Sequence, residues 1–359
     1  MNHYNGFVIT NKDCDIYIKE NDDYIKMGKI YKDTIVKLKK NLNKNDYLEI
    51  ENMDDNYYIE YDNVRKVSKD IDNNDRYKNY IVFNENVVAD KINLYKEDRI
   101  VYSLNKKMSL PIYIKDEDKY YVEYNNQLFY VKKEEVSTIK NDNTSEKNIT
   151  NIGVLNYHSF YDDNLKNERE KCNTVICSST TQFKEHLDYI KENNFFTPTM
   201  DELEKYIDGK LQLPKSVVIT IDDGWKAELG IKMLNEYKLN ATLFLITGYY
   251  NPDDYRSDYI EIHSHTDLLH DGGKCSGGQG SGLKCLSEDI ILNDFKTSRK
   301  KLNDSTVLCY PFYEYNDYTI GLAKKAGFTM AFTGESNYSD NLVKVGSDKF
   351  KLPRFVVVN

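Results

Sequence analysis

The sequence predicts two fold types in one chain: a pair of small all-β barrels over residues 1–139, then an α/β barrel over residues 151–359. Three observations lead there. At 359 residues the chain exceeds what a single core comfortably holds. Up to about residue 140, short segments alternate apolar and polar residues, as in Cys14-Asp15-Ile16-Tyr17-Ile18 and Ile112-Tyr113-Ile114, with Asn, Asp, Gly and Lys between them. Beyond residue 150 the pattern changes to β-branched runs alternating with stretches of helical spacing, as a parallel sheet requires.

A weak internal repeat divides the first region. Tyr58-Ile59-Glu60-Tyr61-Asp62-Asn63-Val64 resembles Tyr130-Val131-Lys132-Lys133-Glu134-Glu135-Val136, so two domains of one kind are expected, at 1–70 and 71–139. Each copy resembles a bacterial SH3-like barrel, a module often attached to cell-wall enzymes, and the resemblance implies the cell wall as a partner of this region. Tyrosine is abundant here, and its ring suits both sugar stacking and a half-buried sheet. Residues 140–148 contain no apolar side chain and read as a linker, placed at 140–150.

In the α/β region, Ile152-Gly153-Val154-Leu155-Asn156-Tyr157 is expected as a strand ending at His158. Phe183, Leu187 and Ile190 fall on one face of a helix, and a second helix begins at Met200. His186, beside that apolar stripe, reads as an ordinary surface or packed residue. Further strands are expected near 217–221, 241–246, 260–263, 306–310, 328–332 and 355–358.

Composition narrows the partners. A net charge of −9 argues against nucleic acid and anionic membranes, which need a cationic face, and no apolar run is long enough to span a bilayer. The chain opens Met1-Asn2-His3-Tyr4-Asn5 without a basic-then-apolar leader, so the expectation is an extracellular or wall-associated protein whose leader or anchor is absent here, or else a cytoplasmic one. Six cysteines are too few for a disulfide scaffold. Cys275 and Cys285 flank a glycine-rich loop at 276–282, Cys172 and Cys177 bracket another short segment, and neither spacing is a familiar zinc pattern. A local disulfide and a pair of inert thiols both fit the 275–285 pair.

The residues that carry chemistry stand at strand ends. Val217, Val218, Ile219 and Ile221 form a β-branched run that stops at Asp222-Asp223-Gly224. Alone, such a turn is compatible with plain solvation; in a parallel α/β fold, the carboxyl ends of strands are where ligands collect. A second strand end carries His263-Ser264-His265-Thr266-Asp267-Leu268-Leu269-His270, and a third carries His158. Two imidazoles and one carboxylate can occupy one face of a divalent ion and leave positions for water and substrate. His263 and His265 would share a face of an extended strand, whereas His265 and His270 converge only across a strand end and a turn, since five residues of helix rotate about 140° past a full circle. Both pairings remain open on spacing alone.

These segments resemble a known family. Ile219-Thr220-Ile221-Asp222-Asp223-Gly224 is similar to the Thr-Phe-Asp-Asp-Gly motif of polysaccharide deacetylases, carbohydrate esterase family four, and Glu261-Ile262-His263-Ser264-His265-Thr266 to the start of their histidine motif. The five-residue step to His270 and the early Tyr157-His158 resemble the subgroup that deacetylates biofilm poly-N-acetylglucosamine. The third motif, Arg-x-Pro-Tyr, appears as Cys309-Tyr310-Pro311-Phe312 without its arginine. The resemblance covers roughly residues 150–359 and implies a distorted (β/α) barrel.

It also implies roles. Asp223, His265 and His270 become ligands of a divalent metal, zinc foremost, with cobalt, nickel or iron also suited; Asp222 becomes the general base, His158 the general acid, and a backbone N–H near Phe312 the oxyanion donor. His263 falls where the family varies and stays outside this set. Arg354, a lone arginine in Leu352-Pro353-Arg354-Phe355 beside an apolar terminal strand, is the candidate replacement for the missing arginine, with a surface role as the alternative. The implied reaction removes N-acetyl groups from N-acetylglucosamine units of a cell-wall or exopolysaccharide glycan. The alternatives are a wall-binding protein with a degenerate deacetylase domain, since the third motif is incomplete and the helical acid of the fourth is not recognisable, and an acetyl-xylan-type esterase. The glycine-rich loop lacks the lysine of a phosphate-binding loop and is expected as a flexible wall of the sugar groove. Trp225 is expected to pack beneath the site, with stacking on a sugar ring as the alternative.

Overall fold

A computed structural model of the chain describes residues 6–39, 46–51, 56–67, 75–141, 151–172, 174–334 and 342–358. Of the linker expected at 140–150, residues 142–150 lie outside the described residues. The chain divides into two units, Met1–Asn148 with Lys210–Gln212, and Ile149–Gly209 with Leu213–Asn359.

The first unit is all-β. Two-residue turns at Asn21-Asp22, Glu97-Asp98 and Asn125-Asn126, with positive φ at both positions, close three hairpins whose twist such turns match. The internal repeat has a structural counterpart: Tyr57–Glu60 and Gln127–Lys132 are strands, each followed by a 3₁₀ turn (Tyr61–Asn63, Lys133–Glu135) and another strand. The two halves join in one eleven-stranded antiparallel sheet where Arg99–Leu104 pairs with Asp23–Ile30. Gly28 makes that junction possible, because a Cβ there would lie 2.3 Å from the Ser103 carbonyl oxygen. One apolar core draws on both halves, Val8, Ile16 and Ile59 packing in the same cluster as Leu94, Ile112 and Val131.

The second unit is built on seven parallel strands: β1 (Gly153–Tyr157), β2 (Val217–Asp223), β3 (Ala241–Leu245), β4 (Ile260–Ser264), β5 (Val307–Cys309), β6 (Met330–Phe332) and β7 (Phe355–Val356). Their order is β6-β5-β4-β3-β2-β1-β7. All seven runs named in the sequence form strands, with ends shifted by at most two residues. Residues 352–356 curl the sheet toward closure, Leu352 bridging to Phe332 of β6 while Phe355 and Val356 pair with β1. The result is the distorted, nearly closed barrel expected of alternating strands and helices.

Helices α1 (Thr180–Glu192), α2 (Met200–Ile207), α3 (Glu228–Tyr237), α4 (Glu288–Lys301) and α5 (Asp317–Ala326) cover the sheet. Side-chain caps fix several starts: Ser179 caps α1, Thr199 and Glu202 form a capping box on α2, and Asn316 caps α5. Phe183 and Leu187 of α1 and Leu234 of α3 pack on Ile219, Ile221 and Leu243. Ile291 and Phe295 of α4 and Ala323 of α5 pack on Leu308 and Ala331. Residues of both faces of β2 and β3 are buried along nearly their whole length, which is why these strands read as continuous apolar runs. No helix among the described residues is long and apolar enough to cross a membrane.

Candidate metal centre and active site

The acid pair sits where β2 ends. Asp223 and Gly224 take φ of 74° and 108°, and a Cβ at Gly224 would come within 2.6 Å of the Leu245 side chain. Only glycine fits the second position, and the turn it makes directs the two carboxylates differently. Asp222 points into the barrel at 1% exposure; Asp223 faces the histidines.

His265 Nε2 and His270 Nε2 lie 3.3 and 3.2 Å from Asp223 Oδ1. The ligand atoms of Asp223, His265 and His270 all lie within 4.8 Å of one another. His265 follows the last residue of β4, Thr266 turns the chain with φ 70°, and a 3₁₀ turn at Leu269–Asp271 brings His270 back. A strand end and a turn thus pair His265 with His270. His263 lies elsewhere, its Nδ1 2.8 Å from Ser305 Oγ.

Protonation favours a cation here. The Cys309 carbonyl only accepts, so His265 Nδ1 donates to it at 3.0 Å, and in the neutral ring Nε2 presents a lone pair toward Asp223. Asp223 Oδ1 is buried without a hydrogen-bond donor. Burial opposes ionisation of Asp223, yet the two imidazoles outweigh it and hold the carboxyl well below its usual range. A carboxylate oxygen and two imidazole nitrogens converging on one point fit a divalent ion, which would take the place of the imidazole protons. Asp222, His265 and Cys309 also lie close together, but the charge of Asp222 is already matched by the Arg354 guanidinium.

The partner of both Asp222 oxygens is Arg354. Its Nη1 and Nη2 donate to Asp222 Oδ1 and Oδ2 at 2.7 and 2.8 Å, and the remaining N–H groups reach Thr333 O, Thr220 Oγ1 and Cys309 Sγ at 2.9, 3.2 and 2.9 Å. All five guanidinium donors are satisfied at 0% exposure, which excludes a surface role. Burial would raise Asp222, but the Arg354 charge outweighs it and keeps the carboxyl below its ordinary value. Cys309, at the position where the motif lacks its arginine, leaves the space that this guanidinium reaches into.

His158 follows β1, with Nε2 3.9 Å from Asp222 Oδ2 and a buried Nδ1 that has no partner. Burial pulls its pKa down and the Asp222 charge opposes that. Phe312 and Tyr313 take consecutive positive φ, 54° and 60°. The Phe312 ring lies 4.5 Å from that of His270, and Tyr313 OH donates to the buried Asn156 Oδ1 at 2.9 Å.

The polysaccharide deacetylase family model matches residues 210–331. A poly-β-1,6-N-acetyl-D-glucosamine N-deacetylase of Staphylococcus aureus is 27% identical over 235 residues, 57% of this chain and 78% of that protein. The chain carries a polysaccharide deacetylase domain. The putative polysaccharide deacetylase YxkH of Bacillus subtilis is 26% identical over 197 residues, 51% of this chain and 64% of that protein. Among solved structures, a de-N-acetylase from Aggregatibacter actinomycetemcomitans aligns at TM-score 0.48 and 21% identity over 58% of this chain and 95% of its own. IcaB from Ammonifex degensii aligns at 0.47 and 19%, over 58% and 91%.

In the deacetylase domain some of these expectations are met and others are not. Trp225 does not pack beneath the site: it is 44% exposed, because the chain leaves β2 through the left-handed turn at Asp223-Gly224, and Lys226 Nζ lies 5.5 Å from its ring. His186 is packed, its Nδ1 2.8 Å from Tyr157 OH. Disulfides join Cys172 to Cys177 and Cys275 to Cys285. The glycine-rich loop is pinned rather than loose, by a residue that sequence reasoning missed. Glu314 accepts from the backbone N–H groups of Gln279, Gly280 and Ser281 and from Ser281 Oγ at 2.6 Å. Its position soon after Cys309-Tyr310-Pro311-Phe312 was the one available signal.

Burial works to raise the Glu314 pKa, but these donors prevail and hold it below the ordinary 4.5. A carboxylate depressed on folding stabilises fully above that ordinary value, and the contribution is lost as pH falls through the lower folded one. The melting-temperature difference between wild type and Glu314→Gln should therefore be largest above pH 4.5 and shrink on acidification. A difference independent of pH would contradict this account.

Proposed function

We propose that the chain is a metal-dependent N-deacetylase of a poly-N-acetylglucosamine glycan. The observation that carries this reading is the convergence of Asp223, His265 and His270 on one point, next to Asp222 and His158. Similarity to the S. aureus poly-β-1,6-N-acetyl-D-glucosamine N-deacetylase supports the glycan class. Zinc is the metal expected first for two nitrogens and one oxygen, with cobalt, nickel and iron as alternatives.

Asp223, His265 and His270 would hold the ion, which when bound would supply Lewis acidity toward the acetyl oxygen and acidify a water. The chain's own groups do the rest. Asp222, kept ionised by Arg354, accepts the proton as water oxygen bonds to the acetyl carbon; its oxygens have lone pairs beyond those the guanidinium uses. The Phe312 N–H donates to the carbonyl oxygen as negative charge builds there. His158 gives a proton to the glucosamine nitrogen as the C–N bond breaks, releasing acetate and an amine. Exposed Trp225, beyond Gly224, offers a ring face to a sugar.

We assign residues 1–70 and 71–139 as SH3-like modules that hold the protein at the cell wall. Two disulfides in the deacetylase domain support an extracellular setting. The net charge of −9 supports a partner other than nucleic acid. Incubation of the full chain with N-acetylated β-1,6-glucosamine oligomers should release acetate and equimolar amine. Chelation should stop release and zinc should restore it. Binding of the oligomer without acetate, in zinc, would favour a wall-binding protein with an inactive domain.

A further inference from the structure

The turn that carries His270 is seated on one stripe of α4. Asp294, Ser298 and Lys301 follow the i, i+4, i+7 spacing of a single helix face. Asp294, 7% exposed, accepts the backbone N–H groups of Asp267 at 2.8 Å, Leu268 at 2.7 Å and Leu269 at 3.2 Å. Ser298 Oγ lies 2.7 Å from Ser264 Oγ, which accepts the Thr266 N–H at 3.1 Å. Lys301 Nζ donates to Asp267 Oδ1 at 2.6 Å, and Thr247 Oγ1 donates to the same oxygen at 2.7 Å. Four consecutive amides, 266 through 269, therefore end on side-chain oxygens.

That arrangement has a physical cost and a destination. A carboxylate buried beside Ile291 and Phe295 is unfavourable unless its lone pairs are used, and a cap serving three amides uses most of them. His270 stands five positions after His265, a spacing that neither a helix nor a strand brings together, so the intervening backbone has to be dictated from outside. What it delivers is His270 Nε2 at 3.2 Å from Asp223 Oδ1, with the ring 5.3 Å from that of His265.

We propose that Asp294 is a positioning residue for the metal centre, fixing the turn 266–269 so that His270 faces Asp223 before any ion arrives. The proposal rests on the reading of Asp223, His265 and His270 as metal ligands. Asp294 touches neither metal nor substrate; it acts through His270.

The test compares metal-stripped full-length wild type with Asp294→Asn, whose amide nitrogen would confront N–H donors. Zinc titration against a chromophoric chelator should show affinity lowered about 10–100-fold, as for other groups that orient a metal ligand. Turnover of the variant should recover in excess zinc with KM unchanged. Equal zinc affinity in the two proteins, or a loss of turnover that excess zinc does not repair, would overturn the proposal. Should Asp294→Asn fail to fold, hydrogen exchange in metal-free wild type decides: the amides of Asp267, Leu268 and Leu269 should be as protected as those of β4, and exchange as fast as in an exposed loop would refute preorganisation. A wild type that binds no zinc sinks the metal reading itself, and the exchange result still judges whether Asp294 holds the turn.

Discussion

Asp222→Asn is expected to lower acetate release about 10²–10⁴-fold, the range for removing a general base, with zinc uptake unchanged. The substitution keeps size and one oxygen for Arg354 but removes the basic lone pair. Because Asp223 and the two histidines hold the ion, metal content should stay at the wild-type value, and the loss should appear in kcat. Turnover and metal stoichiometry measured on one preparation separate base from ligand. A variant as active as wild type would remove Asp222 from the chemistry, and one that loses its metal would make it a ligand.

Arg354→Met should cost about 3–5 kcal/mol of stability, the usual consequence of stranding a buried charge. The methionine matches the arginine stem in bulk but leaves Asp222, 1% exposed, without the two donors that neutralise it. The double variant Asp222→Asn with Arg354→Met should lose less than the sum of the single changes, because the second substitution removes the charge stranded by the first. Urea unfolding of the four proteins measures this coupling. Additive losses would mean that the pair contributes through packing alone. Turnover should fall with Arg354→Met as well; turnover preserved in this variant and abolished in Asp222→Asn would show that the base keeps its place without the guanidinium.

What the sequence made legible was local or ordered. The β-branched run into Asp222-Asp223-Gly224 announced a strand with acids at its mouth, since periodicity and a turn residue are properties of neighbours. The histidines at 265 and 270 were legible as ligand types, but their pairing depended on a left-handed Thr266 that no pattern announces. Asp294 was not legible at all, and Glu314 only through its place soon after Pro311-Phe312. Each acts on backbone amides 25 to 35 residues away, and an acid on a helix or after a turn looks the same whether it caps a distant loop or faces water. In the first unit, alternation gave the strands and the repeat gave two halves. Their union in one sheet turned on Gly28, a single residue among many in polar-rich segments.

The curl of residues 352–356 between β6 and β1 has a kinetic consequence. Arg354 meets Asp222 across 132 residues of chain, and the entropy of closing so long a loop delays that encounter relative to contacts between adjacent strands. Closing the barrel and neutralising its inner carboxylate are therefore expected together, late in folding. Until the guanidinium docks, water must keep solvating Asp222, so earlier folding species are expected to keep the catalytic end of the sheet open.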